Sequence, residues 1–209
     1  KDKLFVAEVD KVVRYYWDEA NLQATQEKVL FTLPQNGNHN NRTLTFDKDG
    51  NMFVSVGSTC NVCKENSELS ATVLKSNADG DNPQVFATGL RNAPFTQINP
   101  KTGDLWGTEM GRDNLGDNIP PDEINIVRHG KNYGWPTIQG DEERAGMVKP
   151  VVHSGALETW APSGATYSNG SIFFVGLRGA TLYEARLNNK SVSELKKHLK
   201  DEYGRMRGI

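Results

Sequence analysis

The chain has 209 residues, and its 24 Lys+Arg stand against 26 Asp+Glu for a formal net charge of −2. No run of one charge sign is long enough for a nucleic-acid or membrane surface, and no apolar run approaches the ~20 residues that span a bilayer, so the expected partner is a small molecule or a protein. The opening KDKLFVAEVDKVV has neither the apolar stretch nor the small-residue cleavage site of a signal peptide, and it starts without Met. A processed or truncated product is expected to open this way, with any targeting signal outside the sequence.

In chain order, short runs bounded by Gly, Asn, Asp or Pro predict strands over Leu4–Val9, Val12–Trp17, Val29–Leu33, Leu44–Phe46, Met52–Val56, Val85–Ala87 and Ile172–Val175. One helix is predicted, over Ser191–Leu199. There Ser191 and Glu194 have capping-box spacing, and Val192, Leu195 and Leu199 form a short apolar stripe. Cys60 and Cys63 are the only cysteines. For them a short-range disulfide in an oxidising compartment ranks first, two free thiols second and a bound metal third, because structural zinc needs further ligands and no βαβ pattern suggests a redox pair.

A repeat underlies the strands. Asp49-Gly50-Asn51-Met52-Phe53, Thr102-Gly103-Asp104-Leu105-Trp106 and Asn169-Gly170-Ser171-Ile172-Phe173 each place a tight turn ending in Gly before a polar, an aliphatic and an aromatic residue. Their spacing is close to the ~40–50 residues of a propeller blade, the second interval being lengthened by an insertion. A small antiparallel sheet cannot bury both faces alone, and radial stacking solves that problem. A sandwich or barrel does not require one hairpin to recur in this way. The fold is therefore expected to be an all-β propeller in a single domain over residues 1–209. That length holds about four blades, so a closed ring is expected to draw on residues beyond both ends.

The stretch Gly89–Pro136 is dense in Asp, Asn, Gly and Pro around Gly111–Pro121. Such a loop is polar, carbonyl-rich and turn-prone, which suits either a Ca²⁺ site or a solvated surface loop.

Several segments together resemble the glucose/sorbosone dehydrogenase family. They are LFVAEVDKVVRYYW, GNHNNRTLTFDKDGNMFVSVGSTCNVC, VFATGLRN, TGDLWGTEMGRDNLGD, PPDEINIVRHGKNYGWP, APSGATYSNG, VGLRGATLYEARL and YGRMRG, and they cover most of the chain in family order. The resemblance implies a portion of a six-bladed propeller and a soluble sugar dehydrogenase using pyrroloquinoline quinone (PQQ) and Ca²⁺. It also implies a periplasmic or secreted location and an external electron acceptor.

Oxidising an aldose at its anomeric carbon removes a proton and a hydride, so the site needs a base beside an electrophile. By the resemblance the base is His39, although a loop histidine flanked by asparagines is by itself an ordinary polar surface group. Arg91 and Asn92 would approach the quinone oxygens, with Arg91 stabilising negative charge as it develops. Arg178 would contact the cofactor, and Arg205 and Arg207 would grip its acidic edge. The backbone carbonyls of Gly111 and Arg112 would ligate Ca²⁺. Here the sequence departs from the commoner form, in which Pro follows that Gly and the Asp-Glu-Ile-Asn segment comes sooner. Asp113, Asp117 and Asp122 are then either oxygen ligands or turn formers. Asn38 stands before His39 where one branch has an acid, so sugar specificity does not carry over.

Trp106 and Trp135 are expected between blades, and Trp160 is a candidate for the substrate mouth. His129, His153 and His198 read as structural or exposed. Two further classes stay open: a calcium-dependent lactonase-type hydrolase, which wants converging carboxylates, and a non-catalytic binding propeller, which tolerates loss of His39 and Arg91.

Overall fold

The computed structural model describes residues 2–35 and 37–209. β1 (Lys3–Ala7), β2 (Lys11–Asp18) and β3 (Gln23–Thr32) form the first antiparallel sheet. β4 (Leu44–Phe46), β5 (Asn51–Val56), β6 (Thr72–Asn77) and β7 (Gln84–Thr88) form the second, and β8 (Thr96–Ile98), β9 (Leu105–Glu109) and β10 (Glu123–Val127) begin the third. A long excursion then carries β11 (Lys131–Asn132), which pairs parallel to β7, before β12 (Val152–His153) returns to complete the third sheet. β13 (Pro162–Ser168), β14 (Ser171–Gly176), β15 (Thr181–Asn188) and β16 (Ser191–His198) make the fourth. These are four stacked blades of a propeller, strapped across the second and third by β11.

Period-2 alternation explains the stacking, because each central strand feeds the cores on both of its faces. In β5, Met52, Val54 and Val56 pack with Val12 and Leu33 of the first blade, whereas Phe53 turns toward Leu105 and Val127 of the third. In β9, Leu105 faces the second blade, and Trp106 packs with Trp160, Ile172 and Phe174 of the fourth. The innermost strands β4, β8 and β13 lie side by side. Threonine hydroxyls tie neighbouring blades: Thr45 Oγ1 of β4 lies 2.7 Å from Thr96 Oγ1 of β8, and Thr108 of β9 donates to the Ser163 carbonyl of β13 at 3.4 Å.

The repeated glycine turns are the hairpins β4–β5, β8–β9 and β13–β14. Gly50, Gly103 and Gly170 have φ of 80°, 75° and 85°, the left-handed region where a Cβ is strained. The Asp47 carboxylate closes the first of these turns by accepting the N–H groups of Asp49 and Asn51. These turns mark one end of the blades. The starts of β4, β8 and β13, and the loops after β5, β9 and β14, must then gather at the opposite end.

The helix expected over Ser191–Leu199 is instead β16, paired antiparallel with β15, and the described residues contain no helix. Ser191 donates its hydroxyl to the Asn188 carbonyl at 2.8 Å within a hairpin turn rather than capping a helix. The register shifts between Arg186 and Leu187, so Ser193 faces no residue across the ladder and gives its hydroxyl to the Arg186 carbonyl at 3.2 Å, and Val192 and Leu195 fall on one face against the core. A bulge thus reproduces the three-residue apolar spacing of a helix. Trp160 is also corrected: it is 0% exposed, its ring 5.0 Å from Phe174 and 5.3 Å from Tyr183, inside the core rather than at a mouth. Trp106 and Trp135 are buried.

Candidate active site

At the end of the blades opposite the glycine turns lies a cavity of about 470 Å³. Its walls come from the chain before β4 (His39), the β7–β8 link (Arg91, Asn92), the β9–β10 loop (Gly111, Arg112, Asp117 and neighbours) and the β14–β15 loop (Arg178). Segments far apart in sequence meet here because each blade begins its inner strand, and ends its second, at the same end.

His39 is half-buried, and its Nδ1 lies 3.1 Å from the Ser58 carbonyl and 2.9 Å from Ser58 Oγ. Since the Ser58 hydroxyl donates to the Cys60 carbonyl at 2.7 Å, both oxygens facing Nδ1 are acceptors. The network therefore assigns the proton to Nδ1 and leaves the lone pair on Nε2. Burial, followed by the nearby Arg91 charge, pulls the His39 pKa below its ordinary value, outweighing the opposing pull of the Ser58 carbonyl and Asp113. The imidazole is thus neutral at neutral pH, the state a base requires. Gly57 makes room for it, since a Cβ there would lie 2.5 Å from the His39 Cβ.

Arg91 is 3% exposed, and the protein engages all five of its N–H donors. Nε donates to the Asn61 carbonyl (3.1 Å), Nη1 to the carbonyls of Met110 (3.3 Å) and Gly111 (2.8 Å), and Nη2 to Asn61 Oδ1 and Asp113 Oδ2 (both 2.8 Å). Arg91 therefore offers the cavity its charge rather than a free hydrogen bond. Asn92 gives its backbone N–H to Glu109 Oε1 at 3.0 Å and its amide to the Met110 sulfur at 3.4 Å. Arg178 is half exposed and pairs with Asp117 at 3.1 Å.

Arg112 differs from both. Its guanidinium has no hydrogen bond or ion pair among the described residues, and its Nε is buried without a partner. A buried unpaired cationic donor on a cavity wall is costly unless something anionic meets it.

Arg205 and Arg207 do not join the cavity wall. Both are exposed, and the Arg207 carbonyl accepts the Gly164 N–H at 2.9 Å where the C-terminal segment crosses β13. Here the expected pair meets solvent instead of the cavity. His129 is exposed, His153 Nδ1 accepts the Gly155 N–H at 3.2 Å, and His198 lies 3.1 Å from Glu184.

The three aspartates separate by role. Asp113 and Asp117 hold Arg91 and Arg178. Asp122 is a brace: Oδ1 accepts the Gly111 N–H (3.0 Å), and Oδ2 accepts the Thr159 hydroxyl (3.0 Å) and the N–H groups of Trp160 and Ala161 (both 2.8 Å). It clips the β9–β10 loop to the entry of the fourth blade.

Sequence reasoning did not single out Glu109 and Glu123, which face each other across β9 and β10, both 6% exposed. Burial and then the Glu123 charge push the Glu109 carboxyl well above its usual range, and burial pushes Glu123 up to about 8 despite a 2.8 Å bond from the Asn125 amide. Glu109 Oε2 is left without a partner. The signal that was available is an acid inside two strands whose other residues read as core.

These residues fit an acidic cofactor better than a bare cation. PQQ bears three carboxylates, and the wall carries three arginines, one with an unsatisfied donor. For Ca²⁺ the Gly111 carbonyl already accepts the Arg91 guanidinium at 2.8 Å, so it has one lone pair left for an ion that takes 6–8 oxygens, most of which would come from the cofactor and water. Among the described residues the one cluster with metal-ligand spacing is Cys60, Cys63 and Glu65, and its cysteines are bonded to each other.

The family model described as Glucose / Sorbosone dehydrogenase matches residues 6–209. An uncharacterized protein of Borreliella burgdorferi is 31% identical over 156 residues, 68% of this chain and 41% of that protein. Aldose sugar dehydrogenase YliI of Escherichia coli (strain K12) is 30% identical over 115 residues, 48% of this chain and 29% of that one. Among solved structures, the PQQ-bound aldose sugar dehydrogenase of Streptomyces coelicolor superposes with a TM-score of 0.82 at 24% identity, over 99% of this chain and 64% of that one, a likeness of fold. The chain thus spans less than two thirds of each of these relatives.

Proposed function

The chain belongs to the glucose/sorbosone dehydrogenase family, and from that premise we propose that it is part of a PQQ-dependent dehydrogenase that oxidises an aldose or a related sugar aldehyde. One observation carries the reading: a histidine with its proton fixed on Nδ1 and its Nε2 lone pair free shares a cavity with three arginines, one of them unsatisfied. PQQ, when bound, supplies the electrophilic carbonyl that accepts hydride.

The residues of this chain do the rest. His39 Nε2 takes the hydroxyl proton of the sugar, and the Ser58 carbonyl stabilises the imidazolium through Nδ1–H. Arg91, fixed on every donor, supplies positive charge that needs no reorganisation as negative charge develops on the cofactor side of the cavity. Arg112 and Arg178 are assigned to the cofactor carboxylates, Arg178 by exchanging its exposed Asp117 partner. Asn92 supplies an amide at the wall. Ca²⁺ enters the proposal only together with the cofactor, through the carbonyls of Gly111 and Arg112. The metal dependence of PQQ binding tests that element.

A periplasmic or secreted location and an external electron acceptor belong to the same proposal. The Cys60–Cys63 disulfide supports an oxidising compartment. A lactonase of this fold would need carboxylates converging free on the cavity, whereas Asp113, Asp117 and Asp122 are all engaged. The test is dye reduction by the intact protein with PQQ, Ca²⁺ and a panel of aldoses, beside His39→Ala. Turnover requiring PQQ and lost in the variant is expected. Absence of both turnover and PQQ binding would overturn the reading.

A further inference from the structure

The four-residue ring closed by the Cys60–Cys63 disulfide stands in the loop after β5, at the cavity end of the blades. Inside it Asn61 joins three distant segments of the chain, at Arg91, Asp113 and Trp135. Its backbone carbonyl accepts both Arg91 Nε and the Trp135 indole N–H, each at 3.1 Å. Its side-chain Oδ1 accepts Arg91 Nη2 and the Asp113 N–H, each at 2.8 Å, while its Nδ2 donates to the Asp113 carbonyl at 3.0 Å. The neighbouring Cys60 carbonyl accepts the Ser58 hydroxyl that faces His39 Nδ1. Satisfying a main-chain carbonyl and both ends of an amide at once demands one backbone conformation and one rotamer. A loop free to sample others would lose several of these bonds together.

We propose that Asn61, locked by the Cys60–Cys63 disulfide, is the positioning residue of this site, setting the Arg91 guanidinium and the Gly111–Asp113 wall as one unit. The disulfide is then a redox-sensitive lock on ligand binding as well as a staple. A dithiol reductant breaks the Sγ–Sγ bond by giving it two electrons and two protons. The reductant closes to its own disulfide, and Cys60 and Cys63 become thiols. Both cysteines are half-buried, which leaves the bond within reach of such a reagent.

The affinity part of this inference rests on the PQQ reading, whereas the geometric part does not. The test therefore reads two quantities in the intact protein: the NMR signals of Arg91 Nε–H and Trp135 Nε1–H without ligand, and Kd for PQQ by fluorescence quenching. Asn61→Ala, Asn61→Asp and the Cys60→Ser/Cys63→Ser pair are compared with wild type before and after dithiol treatment, with thiol titration confirming reduction. Shifted or broadened Arg91 and Trp135 signals are expected in Asn61→Ala and in the reduced protein, with PQQ affinity weakened about tenfold or more. Partial rescue is expected in Asn61→Asp, which keeps the Oδ1 acceptor. Unchanged Arg91 signals in both Asn61→Ala and the reduced wild type would overturn the proposal, and the reduced wild type decides alone if the variant does not fold. Wild-type protein that binds no PQQ would sink the functional reading, and the Arg91 signal would still decide the positioning role.

Discussion

Replacing Asp122 with alanine removes an acceptor from four donors at once: the N–H groups of Gly111, Trp160 and Ala161 and the Thr159 hydroxyl. Hydrogen bonds to a charged group contribute ~1.5–3 kcal/mol each, so simple addition would give about 6–12 kcal/mol. That overshoots, because the variant also loses the cost of burying a carboxylate that is 6% exposed, and because water can enter beside half-exposed Thr159. The net loss expected is about 3–5 kcal/mol, the range seen when one partner of a buried charged network is removed. In a protein of this size that lowers Tm by roughly 10 °C. Asp122→Asn should cost less, near 2–4 kcal/mol, since its oxygen can stay on the three donors of the fourth blade while its amide opposes only Gly111. Urea unfolding of wild type and both variants measures this, with unchanged m-values showing that the unfolded state is the same. The ordering Ala worse than Asn is part of the prediction. A loss below ~1 kcal/mol in Asp122→Ala would refute the idea that this carboxylate clips the cavity wall.

Three other substitutions probe different links of the argument. His39→Gln should cut turnover by about 10²–10⁴ while PQQ affinity moves only a few-fold; equal loss of both would make His39 a structural residue. Because the His39 pKa is depressed in the folded protein, its neutral form, and any stability it contributes, persists above the ordinary value near ~6.5 and is lost only as pH falls through the lower folded one. The acid limb of kcat/KM should therefore have its midpoint below ~6.5, and a midpoint above ~7 would contradict the lowering of the His39 pKa by burial and the Arg91 charge. Gly57→Ala places a methyl 2.5 Å from the His39 Cβ and 2.8 Å from its carbonyl, so the base must shift. Steady-state kinetics should show kcat reduced about tenfold or more, with normal kcat counting against the packing described. Phe174→Ala, in a side chain 0% exposed between Trp160 and Tyr183, should cost about 3–5 kcal/mol by denaturation with no selective effect on PQQ binding.

The all-β character and the blade repeat were legible in the sequence because both depend on local rules. Apolar alternation has period 2, and a turn that needs positive φ asks for glycine, so Gly50, Gly103 and Gly170 announced the inner hairpins wherever they fell. The segments holding His39, Arg91, Asn92, Gly111, Arg112 and Arg178 were also legible, as motifs. Their chemistry was not. Which arginine is free and which is spent depends on partners 20 to 61 residues away: Arg91 is saturated by Asn61, Gly111 and Asp113, Arg178 is held by Asp117, and Arg112 is left unsatisfied. The β16 strand was misread because a bulge at Ser193 and a helix give the same three-residue apolar spacing, and only pairing with β15 distinguishes them. Trp160, Asp122 and the Glu109–Glu123 pair were settled in the same way, by which blade stacks on which. Local sequence specifies backbone conformation and which faces are apolar, whereas pairing, burial and charge compensation belong to contacts between blades, which exist only once the chain has closed them.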